Sequence, residues 1–162
     1  MILVIGDGLD AWSYGEMMQG RLMDNIIPLC FAAGSVFTFV NAIVQRRFSF
    51  PDAPDIFVIF LDLLITGAWR AQVIVPDATS ANLLYQFTTV LAFVPMYRGL
   101  ASGREKETLW PWIFWTGAYA VFFFIVDLSE VQAEAAVYPL VGLITHALVL
   151  GFVLEEGAAR RR

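Results

Sequence analysis

Charge is what this sequence has least of. Only 15% of its 162 residues are Asp, Glu, Lys or Arg, where a soluble globular chain carries about 25%. So thin a charged shell cannot cover the apolar surface that one domain of this length would leave outside its core. Histidine and cysteine are scarcer still, one of each, His146 and Cys30. A lone histidine excludes a multi-histidine metal site and a bis-histidine haem, so no metal and no cofactor is expected. A lone cysteine excludes an intrachain disulfide, and inside an apolar run Cys30 is expected to behave as a small buried hydrophobe.

Motifs are missing as well. There is no H-E-x-x-H, no G-x-x-x-x-G-K-[ST] and no G-x-S-x-G, so no enzymatic activity is expected. No basic patch with interleaved aromatics exists, which removes nucleic acid as a partner. Residues 1–25 lack the basic start and small-residue cleavage site of a secretory signal, and no cleaved leader is expected. Gly6-Asp7-Gly8-Leu9-Asp10-Ala11 matches the G-x-G-x-x-A turn of a dinucleotide fold by spacing alone. The βαβ context that would give the match meaning is absent, because an apolar span begins at Ile26.

What the chain does have is grease. Hydrophobic residues make up 59% of it, with a mean hydropathy of +0.68. Lipid as solvent accounts for that composition, and the expected fold is an all-α polytopic membrane bundle in the cytoplasmic (plasma) membrane. Five segments approach the roughly 20 residues needed to cross a bilayer: 26–44, 56–75, 83–97, 109–127 and 136–154. Pro28, Pro111 and Pro139 fall in first turns, where a missing N–H costs little, and Pro76 stops the second segment.

The third segment is short and contains Gln86, so four spans compete with five. Five spans put Arg46, Arg47, Arg98, Arg104, Lys106, Arg160, Arg161 and Arg162 on one side, against Arg21 and Arg70 on the other. Four spans would scatter that asymmetry. The positive-inside rule therefore selects five, with the N-terminus outside and the C-terminus cytoplasmic. Residues 1–25 become an outer arm, with an interfacial helix expected from Ala11 to Met23. Residues 155–162 become a basic tail near anionic headgroups. Trp69, Arg70, Trp110, Trp112 and Trp115 are expected as interface anchors, with Asp77 or Glu130 as partners for Arg70.

Polar residues inside spans are the informative ones, because each is costly unless paired or facing protein. Cys30, Gly34, Thr38, Asn41 and Gln45 form one stripe on the first span, expected to face away from lipid. Asp55, Asp62, Thr66 and Trp69 do so on the second, and Asn82, Gln86 and Thr89 on the third. The fifth contributes Tyr138, Gly142, Thr145 and His146. A polar seam of Asn41, Gln45, Thr66, Gln86, Thr89 and Thr145 follows, and helix packing alone explains it. The sharper expectation is an Asp62–His146 pair near mid-membrane, the kind of pair that proton relays use.

Two functions compete. The leading expectation is a non-catalytic structural, assembly or accessory subunit that binds another membrane protein, or itself, through its helices within the lipid bilayer. The alternative is a small proton- or ion-coupled transporter or oligomeric pore built on Asp62 and His146.

Overall fold

Long apolar runs without strand-like alternation, each opened by Pro, Asp or a polar turn, favour helices throughout. The computed structural model of the chain describes residues 2–20, 22–46, 50–125 and 133–159. Among them are helices α1 (Ile2–Met17), α2 (Leu22–Val44), α3 (Ala53–Arg70), α4 (Ala78–Ala101), α5 (Leu109–Ile125) and α6 (Val137–Ala159). A 3₁₀ turn, Ala133–Ala136, leads into α6. No strand occurs among the described residues.

Local chemistry sets the helix ends. Asp52 caps α3 through a reciprocal box: its Oδ1 accepts from the Asp55 N–H at 3.2 Å, and its own N–H donates to Asp55 Oδ2 at 3.4 Å. Asp77 Oδ1 accepts from the Ser80 N–H at 2.7 Å at the start of α4. The C-termini of α1, α3 and α4 close alike, with N–H groups of Gly20, Val73 and Arg104 reaching back five residues to the carbonyls of Gly15, Ala68 and Gly99. That six-to-one bond requires a left-handed residue just before it. Gln19, Gln72 and Gly103 supply it, with φ of 55°, 53° and 68°.

The chain divides into two compact units, Met1–Ala92 and Phe93–Arg162, the division falling within α4. In the first unit α1 and α2 form an antiparallel hairpin, in which Asp7 pairs with Ser35 and Gly15 lies against Asn25. A Cβ on Gly15 would stand 2.5 Å from Asn25 Nδ2, so a larger residue there would displace the Asn25 amide. Trp69, Val75, Ala81 and Tyr85 form an apolar cluster in this unit. In the second unit Phe93, Trp112, Val149 and Val153 form another.

Polarity runs inside out. Asp62 is 1% exposed and Asn82 0%, with Asp10, Ser13, Ser35, Gln86 and Thr88 also buried, while Phe37 is 74% exposed and Phe124 82%. On α3 the inner stripe is Val58, Asp62 and Trp69, and the outer one is Ile56, Phe60, Leu63 and Leu64.

Length and composition qualify two helices to cross a membrane, through the windows Asn25–Val44 and Ala133–Gly157; Leu109–Ile125 is a shorter apolar helix. Each of the five expected segments contains a helix, but a span in each of the five does not follow from this measure. The reasons are charge in α3, uncharged polar residues in α4 and length in α5. The 18 residues of α3 include Asp55, Asp62 and Arg70, and α4 carries Asn82, Gln86 and a run of hydroxyl residues.

The N-terminal segment also differs from expectation. Its helix runs over Ile2–Met17 and packs on α2 and α3 instead of lying apart as an arm. Its ragged apolar pattern arises because the buried face carries Asp10 and Ser13 as well as Ala11 and Tyr14. Arg160, Arg161, Arg162 and Glu130 lie outside the described residues.

Candidate functional site

Three carboxylates gather in the first unit. Asp7 and Asp10 sit one turn apart on α1, and Asp62 comes from the inner stripe of α3. Asp10 lies close enough to feel the charges of both Asp7 and Asp62. Gly6 lies beside the α3 acid: a Cβ there would be 3.7 Å from Asp62 Oδ2, an ordinary van der Waals contact.

Each acid has its own neutral partners. Ser35 of α2 donates its hydroxyl to Asp7 Oδ2. Asp10 Oδ1 accepts from Gln86 Nε2 at 2.8 Å and from Asn82 Nδ2 at 3.3 Å, with the Thr89 hydroxyl also turned toward the carboxylate. Asn82 Nδ2 bonds Ser13 Oγ at 3.1 Å as well, but its Oδ1 is buried with no partner at all. Asp62 Oδ1 stands 2.6 Å from the Thr88 hydroxyl, which is also 2.9 Å from the Tyr85 carbonyl oxygen.

That last arrangement has two proton states. A threonine hydroxyl holds one hydrogen. When Asp62 is ionised, Thr88 donates to it. When Asp62 carries a proton, Asp62 donates to Thr88 Oγ1 and Thr88 donates to the Tyr85 carbonyl. Both states fit the same heavy-atom positions. A second chain lies beside it: Thr66 donates to the Asp62 carbonyl at 2.7 Å, so Tyr85 must be the donor in its 2.6 Å contact with Thr66.

No Lys or Arg contacts any of the three acids among the described residues. A buried carboxylate without a cation keeps a large desolvation cost that neutral hydrogen bonds offset only in part. The described residues contain no group of three His, Cys, Asp or Glu side chains arranged to hold a metal ion.

His146 belongs to different surroundings. In the second unit its ring is 4.9 Å from Tyr119, 5.1 Å from Phe93, 5.6 Å from Trp112 and 5.9 Å from Trp115, centroid to centroid. Its Nδ1 is 2.8 Å from the Gly142 carbonyl. A carbonyl only accepts, so the proton sits on Nδ1 and Nε2 is the bare nitrogen. Thr145, next to it, returns its hydroxyl to Val141 at 2.8 Å, and Tyr97 donates to the Thr145 carbonyl at 3.0 Å. Asp62 and His146 each have a hydrogen-bond partner within their own unit.

Several expected positions differ. Asn41 and Gln45 are exposed on α2, as are Thr38 and Cys30. They can face outward because they satisfy one another, with Gln45 donating to Asn41 at 3.0 Å and Thr38 to the Gly34 carbonyl at 2.9 Å. Ser35 is the buried polar residue of that helix. Trp69 is no interface anchor but is buried, 5.2 Å from Trp12. Trp112 is buried and, with Trp115, borders His146, which leaves Trp110 as the exposed tryptophan of α5. Arg70 pairs with Glu16 at 3.1 Å instead of Asp77, stacked 4.9 Å from Trp12 and 5.3 Å from Trp69.

Sequence reasoning missed Asp7, Asp10 and Asn82 as a cluster with Asp62. The signal was present in the rejected glycine motif, where two acids three residues apart share a helix face. No family model, curated protein or solved structure matches the chain.

Proposed function

We propose that this chain is a small multipass protein of the cytoplasmic membrane, with α2 to α6 as five spans, that couples transport to proton uptake at Asp7, Asp10 and Asp62. One observation carries the reading: three carboxylates converge, unpaired by any described cation, inside a unit whose outer surface is apolar. Ionisable groups are kept in such surroundings where they exchange charge. The eight-to-two distribution of basic residues supports a cytoplasmic C-terminus. The α1–α2 hairpin then folds α1 back into the bundle, with Glu16 and Arg70 at its outer end.

The test is reconstitution of the full chain into liposomes containing a pH-sensitive dye. The natural chain is expected to collapse an imposed pH gradient, and Asp10→Asn and Asp62→Asn to slow this to the rate of empty vesicles. Background flux for all three proteins would refute the reading.

A second reading has its own observation. The exposed stripe Cys30, Thr38, Asn41 and Gln45 lies on a helix apolar enough to cross a membrane, where polar side chains favour a neighbouring helix over lipid. A partner or a second copy would cover it, as an accessory subunit requires. Cross-linking through Cys30, the only cysteine, with a short bismaleimide should then yield a discrete adduct in membranes, weakened in Asn41→Leu. Only monomer under those conditions would exclude it.

A further inference from the structure

Much of α2 lies open. Cys30, Phe37, Thr38, Asn41, Val44 and Gln45 are exposed on it, Phe37 by 74% and Val44 by 73%, while Phe31 and Ser35 turn the other way and are buried. Cys30, Gly34, Phe37, Asn41 and Val44 follow one another at steps of four, three, four and three residues. Those are heptad steps, which keep one line of side chains facing a partner helix as the two wind together. Thr38 and Gln45 flank the line. From Cys30 to Val44 it covers about 21 Å at about 1.5 Å per residue, most of the roughly 30 Å of hydrocarbon that a span crosses. The occupant that fits such a line is another membrane helix.

Hydrogen-bonding capacity says which helix. Gln45 Nε2 donates to Asn41 Oδ1 at 3.0 Å. Each side-chain amide holds two donors and two acceptor lone pairs, so this one bond leaves Asn41 its whole NH₂ group and Gln45 its carbonyl oxygen. Donor and acceptor thus remain side by side on one face. Such a pair complements its own copy. The line and its flanks contain no Asp, Glu, Lys or Arg, so nothing in them selects a partner of opposite charge. Insertion gives every copy of a chain the same orientation, so two copies meet about a two-fold axis along the membrane normal, with α2 parallel to α2 and Asn41 level with Asn41. A single Asn at an inward position of a parallel pair is a known means of fixing register and a two-helix state.

We propose that α2 joins two copies of this chain into a parallel dimer along the line from Cys30 to Val44, with the Asn41 and Gln45 amides bonded across the interface. The proposal names the partner that the accessory reading leaves open and rests on that reading's placement of α2 in lipid; it does not rest on transport. Ser35 holds Asp7 from the other side of the same helix, so the dimer leaves each carboxylate centre in place.

The test uses the purified full chain in liposomes at a low protein-to-lipid ratio, oxidised with copper phenanthroline. A disulfide requires Cα atoms within about 7 Å, and a parallel pair in this register brings the two Cys30 residues together. The natural chain is expected to give a disulfide-linked dimer that persists on further dilution with lipid. Moving the thiol off the line, by Val36→Cys in a Cys30→Ser background, should remove the dimer band although Val36 is 47% exposed. Association is read separately as energy transfer between fluorescently labelled copies. Asn41→Leu should weaken it about three- to thirtyfold, the range that one interhelical hydrogen bond covers. Asn41 is exposed, so this substitution leaves the packing within each copy unchanged.

Equal cross-linking through positions 30 and 36 would overturn the proposal as random collision. Undiminished association of Asn41→Leu, or energy transfer without a Cys30 disulfide, would overturn it by placing the contact on another face. Monomer alone from the purified chain, with a Cys30 adduct to a different chain in native membranes, would overturn the second copy and leave the accessory reading standing. Monomer in both settings would overturn both.

Discussion

Gly142 is the point at which the α5–α6 pair is most vulnerable. A Cβ built there would fall inside the van der Waals envelope of Tyr119, against Cδ1, Cε1 and Cζ of the ring. Tyr119 is itself buried, so the ring has little room to retreat. Overpacking of a filled interior costs about 1–3 kcal/mol. Replacing a mid-helix glycine with alanine returns about 0.5–1 kcal/mol through backbone entropy. Gly142→Ala should therefore destabilise by about 1–2 kcal/mol, a fall of roughly 2–8 °C in unfolding midpoint for a chain of this size. The Tyr119 ring is 4.9 Å from His146, so the near-ultraviolet circular dichroism of the aromatic cluster should weaken as well. Gly151→Ala is the control, because its Cβ would meet nothing within 4 Å on the same helix; it should be neutral or stabilising. Thermal melts of the three proteins in one detergent decide the matter. A Gly142→Ala midpoint at or above that of Gly151→Ala would refute the packing argument.

Three further outcomes follow from single contacts. Asp52→Ala removes the side-chain half of the α3 capping box, leaving the bond from its own N–H to Asp55, and should cost about 0.5–2 kcal/mol in a detergent melt, while Asp52→Asn retains most of it. Hydrogen bonds from the Ser80 backbone and side chain, with one from the Thr79 backbone, lower the Asp77 carboxyl from its ordinary 3.8. A folded-state value below the unfolded one gives stability that is present above pH 3.8 and lost as pH falls through the lowered value; acid melts should therefore show Asp77→Asn less sensitive than the natural chain at the bottom of that range. Thr88→Val deprives Asp62 Oδ1 of its hydroxyl and should cost about 1–3 kcal/mol, where Thr88→Ser costs little; equal melts for the two would show that the hydroxyl contributes nothing.

The helices were readable because their signals are local. Apolar runs, with Pro111 and Pro139 in first turns, act within a few residues, and each of the five expected segments contains a helix; Pro28 differs, lying inside α2 because that helix already begins at Leu22. The faces were harder to read. On α2 the period placed Cys30, Thr38, Asn41 and Gln45 together, but period alone does not say whether a polar side chain satisfies itself on its own helix. Here Gln45 and Asn41 do, and Ser35 turns inward to Asp7. The α1 acids were hidden for a different reason. Read in isolation, Asp7 and Asp10 break an apolar run and imply exposure; the partner of Asp7 is Ser35 on α2, and those of Asp10 are Gln86 and Asn82, more than 70 residues away. Depth along a span, from which the Asp62–His146 pair was expected, carries no information on the bonds each makes within its own unit, Asp62 to Thr88 and His146 to the Gly142 carbonyl.

Asparagine is the comparison that separates a relay from a peg. If Asp62 only joined α3 to α4, an asparagine in its place would serve as well, since an amide oxygen can accept from Thr88 at the same 2.6 Å and the two side chains have nearly the same volume. Asparagine would also avoid burying an acid without a cation, which should make the helix contact more stable. Aspartate gains one property over it: with Thr88 bonded both to it and to the Tyr85 carbonyl, it takes up or releases a proton while every heavy atom keeps its place. A packing role therefore expects Asp62→Asn to melt at or above the natural midpoint with flux unchanged. A relay expects the same melt with flux abolished. The melt is common to both, so flux alone decides, and a variant that lost both together would point instead to a collapsed site.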